Sequence, residues 1–222
     1  CQNYQISAGH FGRDIPVERL AEIFLELQEQ KANNINLVTG GHYIPQIVRA
    51  LDLVRGKLHI PVVYNSSGYE TVEALRMLKG YVDVYLPDLK YRSPERGARY
   101  SHAPDYFAVA SKAILEMFDQ VGPVRFDGRG MIQKGLIVRH MVMPNGVEDS
   151  MDILTWIAGN LPLDDILVSV MSQYTPFYRS GEYPEINRRL TAQEYDRVLD
   201  WLDCMGIENG FVQELSSAKE EY

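Results

Sequence analysis

The sequence predicts an α/β protein in which a parallel β-sheet forms a partial, open barrel resembling a TIM barrel. Segments with helical periodicity alternate with short apolar runs typical of buried strands. This alternation indicates parallel strands joined by right-handed crossovers, because helices must cover the apolar faces of the sheet. A closed eight-stranded barrel takes about 250 residues, and this chain has 222. An open barrel is therefore predicted, with a doubly wound open sheet as the alternative.

Five strands are predicted, and helical patterns separate them. The strands lie at 34–39, 60–65, 82–87, 135–143 and 166–171. We predict that Asp149 or Ser150 caps one helix, and that Thr191 and Glu194 form a capping box on the last. No shift of composition divides the chain, so residues 1–222 are predicted to form a single domain.

The composition excludes several function classes. The net charge of -8 argues against general nucleic-acid binding, which needs a basic face. No apolar run approaches the length of a membrane span. The two cysteines, Cys1 and Cys204, give no disulfide framework, so a cytoplasmic location is predicted. No Gly-x-Gly-x-x-Gly follows a strand, which argues against dinucleotide binding.

Polar residues at the ends of the predicted strands indicate a ligand site. In parallel α/β proteins, ligands bind at the carboxyl ends of the strands. Arg139 and His140 lie inside their strand, where polar side chains are costly unless they are paired or used. One polar pair in a barrel is commonly structural, but polar residues on four or five strands favour a ligand pocket. The segments at these strand ends are Thr39-Gly40-Gly41-His42, Asn65-Ser66, Asp88 and Lys90, and Gln173-Tyr174.

Structural explanations compete with the functional one. Lys90 can simply neutralise Asp88, and Arg139 can pair with a buried acid. His140 faces the other way from Arg139 on an alternating strand, which is typical of a hydrogen-bonded core histidine. The glycine-rich segment 122–135 joins a helix to the next strand, so we expect it at the opposite, stabilising end of the sheet.

The ordered set of segments resembles the radical S-adenosylmethionine superfamily, specifically the uncharacterised iron–sulfur proteins related to pyruvate formate-lyase activating enzyme. The segment Cys1-Gln2-Asn3-Tyr4-Gln5-Ile6-Ser7 is similar to the one that starts on the third cysteine of that family's Cys-x3-Cys-x2-Cys loop. The resemblance runs over nearly the whole chain. The other similar segments are 33–46, 63–69, 81–91, 138–144 and 183–189.

The resemblance implies a radical oxidoreductase of the glycyl-radical-enzyme activating type. Three thiolates would hold a 4Fe-4S cluster that cleaves S-adenosylmethionine reductively, and the resulting radical would abstract hydrogen from a substrate. A glycyl-radical protein such as pyruvate formate-lyase is the implied substrate, and flavodoxin or ferredoxin the electron donor. The first strand and most of the cluster loop are missing from this chain, so we expect the chain alone to be inactive. We also expect two further cysteines upstream, at the third and seventh positions before Cys1.

The first half of the chain carries some of the implied site residues. Cys1 matches the third cluster ligand. Gly40-Gly41 matches the strand end that approaches the methionine amino group, where glycines permit close approach. His42 stands where the family has an acid, and Asn65-Ser66 where activating enzymes have an acid and a hydroxyl.

Asp88, Lys90 and the later strands complete the implied cofactor site. Asp88 and Lys90 match an Asp-x-Lys that binds polar groups of the cofactor, and Arg139 matches an arginine that faces the methionine or the substrate. Gln173 or Tyr174 matches the position that contacts the adenosine. Beside a carboxylate, Lys90 is expected to keep its charge. The alternatives are an aldolase-like barrel lyase using Lys90 as a Schiff-base amine, or a cluster-free binding protein.

Overall fold

The computed structural model describes Gly9 and residues 11 to 213. Its helices are α1 (Val17–Glu29), α2 (Ile44–Leu53), α3 (Val72–Met77), α4 (Pro94–Ser101), α5 (Tyr106–Val121), α6 (Val147–Asn160) and α7 (Ala192–Cys204). Its strands are β1 (Ile35–Val38), β2 (Val62–Ser66), β3 (Val84–Pro87), β4 (Arg125–Phe126), β5 (Ile132–Met141), β6 (Leu167–Met171) and β7 (Gly210–Val212). Short 3-10 helices lie at Gly40–Tyr43, Leu163–Asp165 and Tyr178–Glu182.

The strands form one sheet that does not close. Its order is β1-β2-β3-β5-β6-β7, each neighbour pair being parallel, and β4 pairs with β5 in the antiparallel sense. Because this order follows the sequence without reversing, the described sheet lacks the switch point of a doubly wound fold. The open parallel sheet and all five expected strands are confirmed. The barrel-like curvature stays a prediction.

Two strands were missed because their sequences carry little pattern. β4 has two residues and β7 has three, all exposed, so neither shows the apolar alternation of a half-buried strand. β4 belongs to the glycine-rich segment and lies beside the amino-terminal half of β5, where Arg125 pairs with Lys134. That placement agrees with the end of the sheet expected for this segment.

The two faces of the sheet have different surroundings. Successive residues of a strand point to opposite faces. Tyr64, Tyr85, Leu136 and Val138 are fully buried and join a core that includes residues of α2, α3, α5 and α6. The alternate side chains lie outside that core, and many of them are half-buried. We call this second side the open face, whose members include Asn65, Leu86, Ile137, Arg139, Ser169 and Met171.

One predicted helix cap is confirmed and one is wrong. Thr191 and Glu194 form the expected capping box on α7. Helix α6 begins at Val147 without a side-chain cap, before the residues predicted to cap it. Asp149 instead accepts hydrogen bonds from the backbone N–H groups of Arg92 and Ser93 at 3.1 and 2.6 Å. Helix caps are predicted from local sequence, and a hydrogen bond to a residue so distant in the chain cannot be predicted in that way.

Candidate functional site

A cluster of four polar side chains lies at the carboxyl ends of β2, β3 and β5. Arg139 Nη2 is 2.7 Å from Asp88 Oδ1 and donates a 2.7 Å hydrogen bond to Asn65 Oδ1. Lys90 Nζ lies 3.5 Å from Asp88 Oδ2. The structure therefore brings together four residues that the sequence predicted separately. We call Asn65, Asp88, Lys90 and Arg139 the strand-end cluster.

Backbone pairing fixes the strand-end cluster. Asp88 N donates to Ser66 O at 2.9 Å, and Leu89 N donates to Arg139 O at 2.8 Å. Asp88 also forms an isolated parallel bridge with Arg139, immediately after β3 ends at Pro87. Since a proline nitrogen has no hydrogen to donate, regular pairing weakens at Pro87 and the chain can turn. Asp88 is thus held beside Arg139 at the edge of the open face.

The strand-end cluster is not internally satisfied. Asp88 Oδ1 and Arg139 Nε are buried atoms without a hydrogen-bond partner among residues 11–213. The 2.7 Å contact between Asp88 Oδ1 and Arg139 Nη2 is an ion pair whose angles are not those of a hydrogen bond. Buried polar groups are ordinarily paired. The strand-end cluster therefore holds two buried polar atoms without a hydrogen bond, although its opposite charges are in direct contact.

The Gly40-Gly41-His42 segment lies outside this cluster. A Cβ on buried Gly40 would lie 2.8 Å from Ile47 Cδ1, so a larger residue there would require the Ile47 side chain to shift. A Cβ on Gly41 would lie 3.1 Å from Glu70 Oε2. His42 is exposed and near Glu70, whose pKa burial raises and whose rise His42 partly opposes.

Glu70 was not predicted, although it is the acid beside these glycines. Its Oε1 accepts a 3.0 Å hydrogen bond from Tyr64 OH. Burial raises the pKa of the Glu70 carboxyl, and the Tyr64 hydrogen bond opposes that shift. The chain turns after β2 and so brings the Glu70 carboxylate next to Gly41. No local sequence motif could have predicted this contact.

The remaining predicted site residues have other hydrogen-bond partners. Ser66 is buried on the face opposite Asn65, and its Oγ accepts a hydrogen bond from Gly68 N at 3.1 Å. Gln173 is half-buried and lies 3.9 Å from Met171 Sδ through its amide nitrogen. Tyr174 OH donates to Ile186 O at 3.0 Å, and burial raises the pKa of this phenol to about 12.

His140 has the environment expected of a core histidine. It is 1% exposed, with Nδ1 2.7 Å from Leu89 O and Nε2 2.8 Å from Ser150 Oγ. A carbonyl oxygen can only accept, so Nδ1 carries the proton and Ser150 donates to Nε2. Burial lowers the pKa of His140, which favours this neutral form.

The described residues do not provide a metal centre. No group of three or more His, Cys, Asp or Glu side chains that could hold a metal occurs within the described chain. Cys204 is exposed on α7. Cys1, predicted as a cluster ligand, lies outside the described residues. No helix within the same described part is long and apolar enough to cross a membrane.

The strand-end cluster can bind a ligand that carries both charges. Asp88 offers a carboxylate, Lys90 and Arg139 offer two cationic groups, and Asn65 adds an amide. An ammonium or hydroxyl group suits Asp88, while a carboxylate suits the cations through charge-assisted hydrogen bonds. The amino-acid portion of a small molecule has both groups. The strand-end cluster is therefore suited to an amino-acid-like ligand at the open face.

Comparisons with known proteins found a relative by sequence and a solved structure with a similar fold. No family model matches the chain. It is 36% identical over 209 residues to an uncharacterized protein of Methanocaldococcus jannaschii. The matched region is 90% of this chain but 56% of that relative, so the chain spans little more than half of the relative's length.

A solved structure with a similar fold is a domain of pyruvate-formate lyase-activating enzyme from Bacteroides vulgatus. The match has a TM-score of 0.58 and 10% sequence identity. It covers 82% of this chain and 100% of that domain. At this identity the likeness shows a shared architecture. The chain thus has an open, parallel α/β fold similar to that of an activating-enzyme domain.

Proposed function

We propose that this chain is the core of a radical enzyme that binds S-adenosylmethionine at the open face of its sheet. The observation that carries the proposal is the strand-end cluster, whose opposite charges suit the methionine portion of that molecule. The fold it shares with an activating-enzyme domain supports the same proposal.

The residues of the cluster have distinct parts in this proposal. Asp88 accepts hydrogen bonds from the ligand's ammonium or ribose hydroxyl groups, while Lys90 and Arg139 hold its carboxylate. Asn65 fixes Arg139 through the 2.7 Å hydrogen bond, so the guanidinium keeps its orientation. Beside a reduced iron–sulfur cluster, S-adenosylmethionine would supply the radical chemistry. The protein's own contribution is to orient this molecule and to exclude water.

The iron–sulfur cluster does not fit the described residues. A cluster of the proposed type needs three thiolates, and the whole chain contains two cysteines, one of them on the exposed surface of α7. Cys1 is the proposed ligand within this chain, and the other thiolates must come from residues beyond it. No step through the cluster is derived from the described geometry.

The proposed protein substrate would approach the loop after β6. This loop carries the 3-10 helix Tyr178–Glu182, in which Tyr178 is 57% exposed. Its distal part is anchored, because Glu185 accepts hydrogen bonds from Arg99 and Tyr100 of α4. A firmly anchored loop with an exposed aromatic residue suits docking of a protein segment. The proposed partner is a glycyl-radical protein, with a flavodoxin or ferredoxin as electron donor.

The lyase alternative receives no support from the geometry. A Schiff-base lysine must lose its charge before it can attack a carbonyl. Lys90 Nζ instead lies 3.5 Å from Asp88 Oδ2, where it is paired with a carboxylate. The amine is therefore suited to binding rather than to nucleophilic attack.

Anaerobic reconstitution tests the proposal. The protein encoded by the entire gene is supplied with iron, sulfide and a reductant, and release of 5′-deoxyadenosine from S-adenosylmethionine is measured. We expect release by wild type and by Cys204→Ala, and none by Cys1→Ala, because Cys1 is a proposed ligand and Cys204 is not. Absence of 5′-deoxyadenosine from a wild-type protein that holds a full cluster would refute the proposal. Equal release by Cys1→Ala would refute the role of Cys1.

A further inference from the structure

Tyr106, at the start of α5, joins the loop after β2 to the loop that carries Asp88 and Lys90. Its side chain is buried, and its hydroxyl lies 2.7 Å from Ser67 O and 2.8 Å from Asp88 O. The same hydroxyl accepts a 3.0 Å hydrogen bond from Lys90 N. A phenol can both donate and accept. One oxygen atom thus connects the loop after β2 to the loop after β3.

The two loops are also in direct backbone contact at this point. Gly68 has a φ of +76°, and a Cβ placed on it would lie 2.2 Å from Asp88 O. Only glycine fits there, because any side chain would collide with that carbonyl. The contact brings the loop that follows Asn65 against the segment Asp88–Lys90. Tyr106 OH lies at the junction.

Aromatic packing holds the Tyr106 ring in place. Tyr69 stacks on it with ring centroids 5.9 Å apart and planes 12° apart, and Tyr91 meets it edge-on at 5.5 Å. Tyr69 is itself fixed by a 2.8 Å hydrogen bond from its hydroxyl to Asp105. The hydroxyl of Tyr106 therefore has little freedom to move away from the two loops.

We propose that Tyr106 is a positioning residue for the ligand of the strand-end cluster. Its hydroxyl sets the position of the Asp88–Lys90 segment relative to the end of β2, which carries Asn65, and it acts on the ligand only through them. The identity of the ligand, S-adenosylmethionine, rests on the proposed function. The positioning itself rests on the hydrogen bonds of Tyr106 alone.

Tyr85 provides a matched control. It is a fully buried tyrosine, and its hydroxyl donates a 2.7 Å hydrogen bond to Gln120 Oε1. Tyr106→Phe and Tyr85→Phe each remove one buried hydroxyl and leave the ring. They differ in that only Tyr106 contacts the loop that carries Asp88 and Lys90. A general loss of packing or hydrogen bonding would affect both variants in the same way.

The first measurement is amide hydrogen exchange, which needs no ligand. Lys90 N–H donates to the Tyr106 hydroxyl, so Tyr106→Phe removes its acceptor. We expect exchange of the Lys90 amide to accelerate about tenfold in Tyr106→Phe, the size of one lost hydrogen bond. We expect no change at Lys90 in Tyr85→Phe. An unchanged Lys90 amide in Tyr106→Phe would overturn the inference.

The second measurement is a double-mutant cycle on binding of S-adenosylmethionine to the whole-gene protein. We expect the dissociation constant to rise about threefold to tenfold in Tyr106→Phe, and to stay at the wild-type value in Tyr85→Phe. In a Lys90→Met background, the effect of Tyr106→Phe is expected to shrink, because Tyr106 acts through that segment. An equal effect in both backgrounds would show a purely structural role and overturn the inference.

Failure of the inference differs from failure of the proposed function. A wild-type protein that binds no S-adenosylmethionine refutes the proposed function, and Lys90 amide exchange then decides the positioning role. A wild-type protein that binds it while Tyr106→Phe binds equally well refutes the inference alone.

Discussion

Replacing Arg139 by methionine should destabilise the protein far more than a surface arginine substitution does. The change keeps an unbranched apolar stem but removes the guanidinium, leaving Asp88 with only the more distant Lys90. It also removes the donor that satisfies Asn65 Oδ1. The side chains of Arg139 and Asp88 are 24% and 19% exposed, so the remaining carboxylate is poorly solvated.

The magnitude follows from the geometry of the pair. Two unit charges at 2.7 Å attract by about 6 kcal/mol at an effective dielectric constant of about 20. Residual solvent and Lys90 offset part of the loss. Breaking one side of a buried pair typically costs about 3–5 kcal/mol, and the partial exposure lowers our expectation to about 2–4 kcal/mol. Adding Asp88→Asn should recover part of that loss, because it removes the unpaired charge.

Arg197 supplies the control for this prediction. Its Nη2 also lies 2.7 Å from a carboxylate, that of Glu148, but the two side chains are 53% and 77% exposed. Exposed pairs contribute about 0–1 kcal/mol, so Arg197→Met should cost less than about 1 kcal/mol. Urea unfolding followed by circular dichroism measures both variants. If Arg139→Met cost no more than Arg197→Met, the claim that the strand-end cluster is desolvated would be wrong.

Three further predictions concern groups around the site. The Arg99 guanidinium lowers the pKa of the Glu185 carboxyl from 4.5 to about 2, so the stabilisation from the Glu185 carboxylate is present above pH 4.5 and is lost as the pH falls toward 2. The difference in stability between wild type and Glu185→Gln should therefore narrow over that range in acid titrations followed by circular dichroism. A constant difference would contradict this prediction. Burial lowers the pKa of His140 below 6.5, so the native state resists protonation and loses stability as the pH falls below 6.5. His140→Gln should weaken this pH dependence of stability, measured by urea unfolding at pH 7 and pH 5.5. An identical pH dependence in the variant would refute the assignment of His140 as a buried neutral histidine. Thr191→Ala should cost about 1 kcal/mol in urea unfolding, since it removes the capping box of α7, and an unchanged midpoint would show that the cap contributes nothing.

The fold could be predicted from the sequence because its signals are local. Strands β2, β3 and β6 are short apolar runs followed by polar residues, and each carries its own signal without reference to the rest of the chain. β7 could not be predicted, since Gly210–Val212 is exposed and owes its conformation to pairing with β6. Tertiary context decides such strands more than propensity does.

The site could be predicted only in part. Asp88, Lys90 and Arg139 follow from the rule that strand ends carry ligands, and alternation along the strand placed Arg139 and His140 on opposite faces. The rule does not bring Ser66 into the strand-end cluster, because the same alternation turns it away from Asn65, and its role in the site stays a prediction. Tyr106 was missed for another reason. In sequence, a tyrosine at the start of a helix is typical of a core residue. The hydrogen bonds of Tyr106 join it to residues 16 and 39 positions away, which no local pattern shows.

Binding of S-adenosylmethionine by the whole-gene protein with an assembled cluster tests the central claim most directly. The comparison is between wild type, Lys90→Met and Lys79→Met, an exposed lysine beyond the end of α3. We predict tight binding by wild type and Lys79→Met, and binding weakened about tenfold in Lys90→Met with an unchanged iron content. Equal binding by Lys90→Met, or a carbonyl substrate trapped covalently on Lys90 by borohydride, would contradict the account.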